Sequence, residues 1–406
     1  AQTERDSGRH RSHCLGCAFD EGKSITGYNH VGGFGGPDSS GYSQRRLGTA
    51  VDQRHPAQRG RCVVADYPGY SKLRPALARA HWPMTQLLLR LGRPNMQSTA
   101  QPTWRDYLEL CKPRVVLLML LCALAGMYLA STGTVPLQTL FFGLLGIGLV
   151  AGSAAVVNHI ADAAIDAKMA RTENRPIATG RVSNQGAIVF SAVTGIVGFG
   201  VLWLFVNPLT AWLNFASWVG YGFIYTMFLK RATPQNIVIG GLFGAAPPLF
   251  GWTAVTNSID PGGLLLVLII FVWTPPHFWA LAIERKEEYA LVNMPMLPVT
   301  HGESFTRLHI LLYTILLLVC SLLPFLIGMS GPLYLLGALA LGLVFLYWAV
   351  VLVRNQNPRA PMATFKYSIL YLGVLFSFLL GDHYLTISSL ELAPQAAPVQ
   401  MQKIEV

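Results

Sequence analysis

Charge is what this chain has least of. Asp, Glu, Lys and Arg make up 12% of its 406 residues, against 52% hydrophobic residues, and the mean hydropathy is +0.43. That is too little charge to cover a soluble globule of this size. A soluble class is excluded, and an all-α, polytopic membrane protein is expected. Cysteine is also scarce, with six in all. Cys111, Cys122 and Cys320 fall in or beside apolar runs, where a free thiol behaves as a small hydrophobe, so no disulfide framework is expected. One His/Cys-rich stretch, "HRSHCLGC", stands near the start. No second pair at finger spacing follows it, and it is read as chance rather than as zinc chemistry. An internal repeat is missing too, which speaks against a secondary transporter.

Positive charge is present but uneven. The formal net charge is +10; residues 1 to 95 hold 14 Lys and Arg against 7 Asp and Glu, and residues 96 to 406 hold 16 against 13. In the second part the cations sit in short loops between apolar runs. Orientation in a lipid bilayer requires that arrangement, and a nucleic-acid groove does not. No nucleic-acid partner is expected.

Residues 1 to 95 are rich in Gly, Arg and Ser and contain no apolar run beyond "MTQLLLRLG". Disorder is expected there. No signal peptide is visible, and seven acidic residues argue against a mitochondrial transit peptide. Membrane-protein composition takes over at Met96, so the domain is expected over 96–390, with a tail at 391–406. The upstream segment is read as an artefact preceding a natural start at Met96.

A membrane span needs roughly 20 apolar residues. Nine segments qualify: 115–132, 137–158, 186–206, 209–229, 236–255, 262–283, 308–328, 332–353 and 367–386. The expected fold is a nine-helix bundle around a central cavity. Connections alternate in character. Lys112 and Arg114 precede the first span, Lys168, Arg171, Arg175 and Arg181 follow the second, and Lys230 and Arg231 follow the fourth. Arg285, Lys286 and Arg307 follow the sixth, and Arg354, Arg359 and Lys366 the eighth. The intervening loops "STGTVPLQ", "NPLT", "TNSIDPGG" and "GMSGP" hold no Lys or Arg. The positive-inside rule then puts the N-terminus in the cytoplasm (or matrix) and the C-terminus outside.

The end of the second span carries the chemistry. In "NHIADAAIDAKMARTENRP", Asn158, Asp162 and Asp166 recur every four residues. On a continuing helix they drift about 40° per step and line one face over roughly 12 Å. An amide and two carboxylates on one face suit Mg²⁺, which keeps part of its water and is completed by phosphate oxygens. Arg171 and Arg175 follow closely, and guanidinium groups hold phosphate bidentately. A solvated helix end would account equally well for the motif alone. Two further polar clusters on the same side favour a site: "YTMFLKRATPQN", and "TPPHFWALAIERKEEY", where Pro275 and Pro276 are expected to break the span. His277, beside Phe278 and Trp279, is a candidate for haem or diphosphate. Glu287 and Glu288 are candidates for metal or water. Trp203, Trp212, Trp252 and Trp273 are read as interface or packing residues.

These residues carry a family resemblance. The N-x-x-x-D-x-x-x-D pattern and nine expected helices resemble the intramembrane prenyltransferase superfamily. "YLELCKPRVVLLMLLCALAGM", "NHIADAAIDAKMARTENRP", "LKRATPQNIVIGGLFGAAPPLFGW", "WTPPHFWALAIERKEEYALVNMPMLPVT" and "TFKYSILYLGVLFSFLLGDHYL" are similar to its haem-modifying branch, the protohaem IX farnesyltransferases. The likeness runs from about Trp104 to Leu385 and leaves out residues 1 to 95. Many superfamily members carry a second aspartate-rich motif where this chain has "ERKEEY". The resemblance implies transfer of a farnesyl group from farnesyl diphosphate to a vinyl group of haem B with addition of water, giving haem O. It implies Mg²⁺ on Asn158, Asp162 and Asp166, and diphosphate on Arg171, Arg175, Lys230 and Arg231. It also implies a bacterial inner-membrane location and a downstream haem-modifying oxidase as partner. A quinone-ring precursor as acceptor, or a haem or lipid transporter, are the alternatives.

Overall fold

Proline and small polar residues decide where the helices begin. The computed structural model describes residues 101–355 and 357–392, the stretch 386–392 by its backbone alone. The expectations for residues 1 to 95, "HRSHCLGC" included, lie outside the described residues. The helices are α1 (Trp104–Leu110), α2 (Pro113–Leu129), α3 (Leu137–Asp166), α4 (Asn184–Phe205) and α5 (Pro208–Val219). The last of these continues as a π-helix, Gly220–Leu229, and a turn, Lys230–Ala232. Then come α6 (Asn236–Gly244), α7 (Pro247–Thr256), α8 (Pro261–Glu284), α9 (Lys286–Leu291) and α10 (Leu297–Thr300). The chain closes with α11 (Glu303–Leu326), α12 (Pro332–Arg354) and α13 (Ala360–Leu392). Proline opens α2, α5, α7, α8 and α12, a position where its missing N–H has no intrahelical partner to lose. Ser183 and Asn207 cap α4 and α5 by accepting from Gly186 N and Thr210 N. Asn257 and Asn355, in the left-handed region, end α7 and α12.

No strand occurs among the described residues, so the all-α expectation holds. Seven of their helices are long and apolar enough to cross a membrane, with α6 and α7 taken together, or eight if the bent pair α1 and α2 is one span. This count does not establish nine. The segment expected at 209–229 changes from α to π winding at Gly220, so no regular helix of sufficient length covers it. The segment expected at 115–132 is a 17-residue helix that qualifies only with α1, bent from it by 54° at Lys112. The last helix, α13, runs to Leu392.

One expectation is corrected outright. Pro275 and Pro276 do not break their span, and α8 runs through both. Each proline removes an N–H donor, but the surrounding helices hold this segment in place. Thr274, Pro275, Pro276, Trp279 and Ala280 are all buried. Leu266, Ile269 and Val272 of α8 form a core with Leu317, Tyr334, Phe345, Tyr371 and Leu375 from α11, α12 and α13. A second core joins Ala123 and Met127 of α2, Ile147 and Val150 of α3, Leu202 and Phe250. The outward positions are apolar as well: Ile196, Leu204 and Leu336 are about 70% exposed (72%, 75% and 68%). A surface of that kind fits lipid rather than water. Among the described residues the cysteines are Cys111, Cys122 and Cys320, all free thiols, as expected.

Lipid supplies no hydrophobic force between helices, so close packing must hold them together. The tightest crossing is α2 on α7. A Cβ added at Gly126 would overlap the carbonyl of Pro248, and one added at Gly251 would overlap the carbonyl of Ala123. Both neighbours are backbone and cannot turn aside. Gly251→Ala is expected to cost about 2 kcal/mol, as overpacking of a tight core does. Gly244→Ala, where an added Cβ meets nothing within 4 Å, should be nearly neutral. Thermal unfolding of the two variants in detergent checks the contrast.

Candidate active site

The last three turns of α3 bury three polar side chains almost completely. Asn158, Asp162 and Asp166 are 3%, 2% and 4% exposed. Ionised groups at such depth are stable only when paired. The partners come from three separate connections. Lys112 Nζ donates to Asn158 Oδ1 at 2.5 Å, Lys230 Nζ to Asp162 Oδ2 at 2.5 Å, and Arg175 Nη1 to Asp166 Oδ2 at 2.7 Å. Asn158 Nδ2 donates in turn to Thr226 Oγ1 at 3.4 Å. Lys112 owes its place to a left-handed backbone (φ 52°) at the bend between α1 and α2. Lys230 follows the π-helix, and Asn236 Nδ2 fastens its carbonyl at 3.0 Å.

These groups form the head of a cavity of about 620 Å³. Lys112, Arg114, Arg171, Arg175 and Lys230 line it, against the carboxylates Asp162 and Asp166. Five cations facing two anions leave a surplus suited to a polyanion. Tyr221 and Tyr225 of the π-helix also line it, stacked with ring centroids 5.5 Å apart. Tyr289 joins them from α9. Burial raises the Tyr289 phenol above its ordinary value, while Arg171 and Arg285 pull it back and Glu288 adds to the rise. The phenol therefore stays protonated at neutral pH and able to donate a hydrogen bond. Below the head the lining turns apolar, with Ile147, Val150, Ala154, Trp218, Phe243, Phe250 and Ile270.

His277 lines the same cavity. Its ring is stacked between Trp273 (4.2 Å) and Phe365 (4.6 Å), and its Nδ1 is 2.6 Å from Ser368 Oγ. Ser368 spends its only hydroxyl hydrogen on the Phe365 carbonyl, so its oxygen can only accept from the histidine. That puts the imidazole proton on Nδ1 and leaves the lone pair on Nε2, the form that ligates a metal ion.

Not every candidate meets at the cavity. Arg231 is outside its wall: its Nη2 donates to Ala161 O at 3.0 Å and lies 3.9 Å from Asp162 Oδ1. Glu287 is exposed, and Glu288 pairs with Arg285 at 3.8 Å. Neither lines the cavity, because α8 ends at Glu284 and the chain turns there into α9. Lys168, the first cation after α3, is exposed and does not line the cavity either. Conversely, Lys112 entered the sequence reading only as a topology signal, Tyr225 and Tyr289 only as ends of two polar stretches with no role given to them, and Tyr221 not at all. Trp273, expected to be a packing or interface residue, stacks on His277. The pairing of "YGFIY" tyrosines at four-residue spacing was the one available signal for the first two.

The donor set fits Mg²⁺ in a particular way. Asp162 Oδ1 is buried and accepts no hydrogen bond, which leaves one hard oxygen ready for a cation. Among the described residues no three His, Cys, Asp or Glu side chains converge as a complete metal cage. Substrate oxygens and water would have to complete the shell, as is common for this ion.

Comparisons with known proteins give the family. Residues 119–375 match the UbiA prenyltransferase family. The chain is 63% identical over 289 residues to protoheme IX farnesyltransferase 1 of Pseudomonas fluorescens (strain Pf0-1), covering 71% of this chain and 97% of that one. It is 62% identical over 286 residues to protoheme IX farnesyltransferase of Ectopseudomonas mendocina (strain ymp), covering 70% and 96%. Among solved structures, the fold is shared with a digeranylgeranylglyceryl phosphate synthase (TM-score 0.60, 19% identity, 69% of this chain and 98% of that one). It is shared also with a UbiA homolog from Aeropyrum pernix K1 (TM-score 0.52, 16% identity, 68% and 98%).

Removing the cation from a buried pair leaves the carboxylate uncompensated. Lys230→Ala is therefore expected to cost on the order of 3 kcal/mol without substrate. Adding Asp162→Asn should restore much of that loss. Unfolding curves of the single and double variants measure the coupling.

Proposed function

The chain belongs to the UbiA prenyltransferase family, and from that premise we propose that it transfers the farnesyl group of farnesyl diphosphate to a vinyl group of haem B. One observation carries the reading: a single cavity joins a cation-rich head to an apolar interior and to an aromatic-stacked histidine. A diphosphate, an isoprenoid tail and a flat iron macrocycle need those three surfaces. The names of relatives more than 60% identical support haem as the acceptor over a quinone-ring precursor or a transport role. Most of their length is matched, and they are bacterial, which supports a bacterial inner-membrane location.

In this reading Asn158, Asp162 and Asp166 would hold Mg²⁺. Bound there, the ion neutralises charge on the diphosphate and so lowers the cost of its departure. Lys230 and Arg175 keep the carboxylates paired until substrate arrives and then turn to diphosphate oxygens, with Lys112 and Arg171 beside them. The bond between the allylic carbon and oxygen breaks, and the electron pair leaves with diphosphate. Stabilising that leaving charge by fixed cations is the main catalytic contribution. The vinyl π electrons then form the new carbon–carbon bond. Water captures the cation left beside the macrocycle and gives up a proton, which yields the hydroxyethylfarnesyl side chain. His277, with its lone pair on Nε2, holds the haem iron so that the vinyl group meets the allylic carbon.

Mass spectrometry of haem from a lipid-embedded sample given farnesyl diphosphate and Mg²⁺ is the direct test. Gain of a hydroxyethylfarnesyl group is expected, with loss on chelation and return on adding Mg²⁺. Asp162→Asn should lower kcat about 100-fold or more. Unchanged haem under all conditions overturns the reading. His277→Ala should weaken haem binding and alter its Soret absorption, and a spectrum identical to the wild type would remove the iron-ligand assignment.

A further inference from the structure

Beside the main cavity lies an apolar hollow of about 420 Å³, open toward the lipid-facing side at Ile196, Trp212 and Phe215 and lined also by Ser191, Gly195, Phe199, Val150 and Trp218. Its wall comes from α3, α4 and α5, and it is almost wholly apolar. Val150 and Trp218 line both cavities. Val150 is a small buried residue, so the indole of Trp218 is the larger part of the partition.

The indole is fixed, not loose. Its Nε1 donates to Ser153 Oγ at 2.9 Å. Ser153 Oγ donates to Ser191 O at 2.8 Å, and Ser191 Oγ returns a hydrogen bond to Ser153 O at 3.1 Å. Both serines are buried, at 0% and 3% exposed. A reciprocal pair of this kind between α3 and α4, with no competing water in lipid, holds its acceptor oxygen in place. Phe215 stacks on the indole at 6.1 Å, and Phe223 meets it edge-on at 5.3 Å. Ser153 stands nine residues before Asp162 on one unbroken helix, so the partition lies roughly 14 Å along the axis from the diphosphate head. That depth belongs to the hydrocarbon tail.

We propose that Trp218, held by Ser153, is the side wall that limits isoprenoid length, closing the substrate cavity against the neighbouring apolar one. The inference rests on the prenyl-diphosphate reading above but not on the acceptor. A farnesyl chain ends against the indole, and a geranylgeranyl chain, one isoprene unit longer, needs the space behind it. Excluding added carbon by a wall is worth about tenfold or more in selectivity.

Binding tests this without haem. Thermal stabilisation of the detergent-purified protein by farnesyl and by geranylgeranyl diphosphate, with Mg²⁺, gives an affinity ratio for each variant. Trp218→Ala should raise the geranylgeranyl-to-farnesyl ratio about tenfold, and Trp218→Phe should raise it less. Ser153→Ala frees the indole while keeping its bulk and should move the ratio the same way by a smaller amount, which serves if Trp218→Ala does not fold. A ratio equal to the wild type in Trp218→Ala, or in Ser153→Ala where only that folds, overturns the proposal. Haem left unmodified by a wild type that still shows these ratios would remove haem as acceptor and leave the wall standing.

Discussion

Everything at the functional end of this bundle follows from burying two carboxylates and an amide on one face of α3. Low-dielectric surroundings make an unpaired carboxylate too costly to keep ionised. The pairing cations cannot come from α3 itself, since the face they must cover looks into the bundle. They arrive from the bend before α2, the loop after α3 and the end of the π-helix, as Lys112, Arg175 and Lys230. Three loops are thereby brought to one end of the bundle, and the cations exceed the acids they serve. A surplus of positive charge at one end of the bundle is the by-product of solving a burial problem.

The rest of the cavity answers a different constraint. Below the head no backbone polar group can turn to water, so helices must run through and the space between them must be shaped by side-chain size and winding. Glycines let α2 and α7 cross with their backbones in contact. The π-helix at 220–229 carries Tyr221 and Tyr225 on the cavity wall and ends at the lysine that meets Asp162. Long π windings are rare and collect at functional sites. Here the winding shares a helix with Trp218, so the polar head and the apolar partition are set by one element.

Much of this was legible beforehand. Long apolar runs announce helices because lipid admits no other open backbone, and the i, i+4, i+8 spacing of Asn158, Asp162 and Asp166 survives because α3 continues unbroken through all three. Less legible were features that depend on neighbours. Pro275 and Pro276 looked like a break, yet buried packing keeps α8 whole. The fourth span looked regular, yet it changes winding at Gly220. Glu287 and Glu288 looked like partners for the aspartates, yet the turn after Glu284 carries them off the cavity wall.

Local chemistry and periodicity, which travel with the chain wherever it folds, were enough to determine a helical membrane protein with an amide and two carboxylates on one helix face at the end of its second long apolar segment. Only the tertiary structure decided which cation meets which acid, that Lys112 belongs to the site, that His277 carries its proton on Nδ1, and that one indole stands between two cavities. Each of those rests on contacts between residues dozens of positions apart, and such contacts leave no periodic trace in a sequence because they depend on how helices cross.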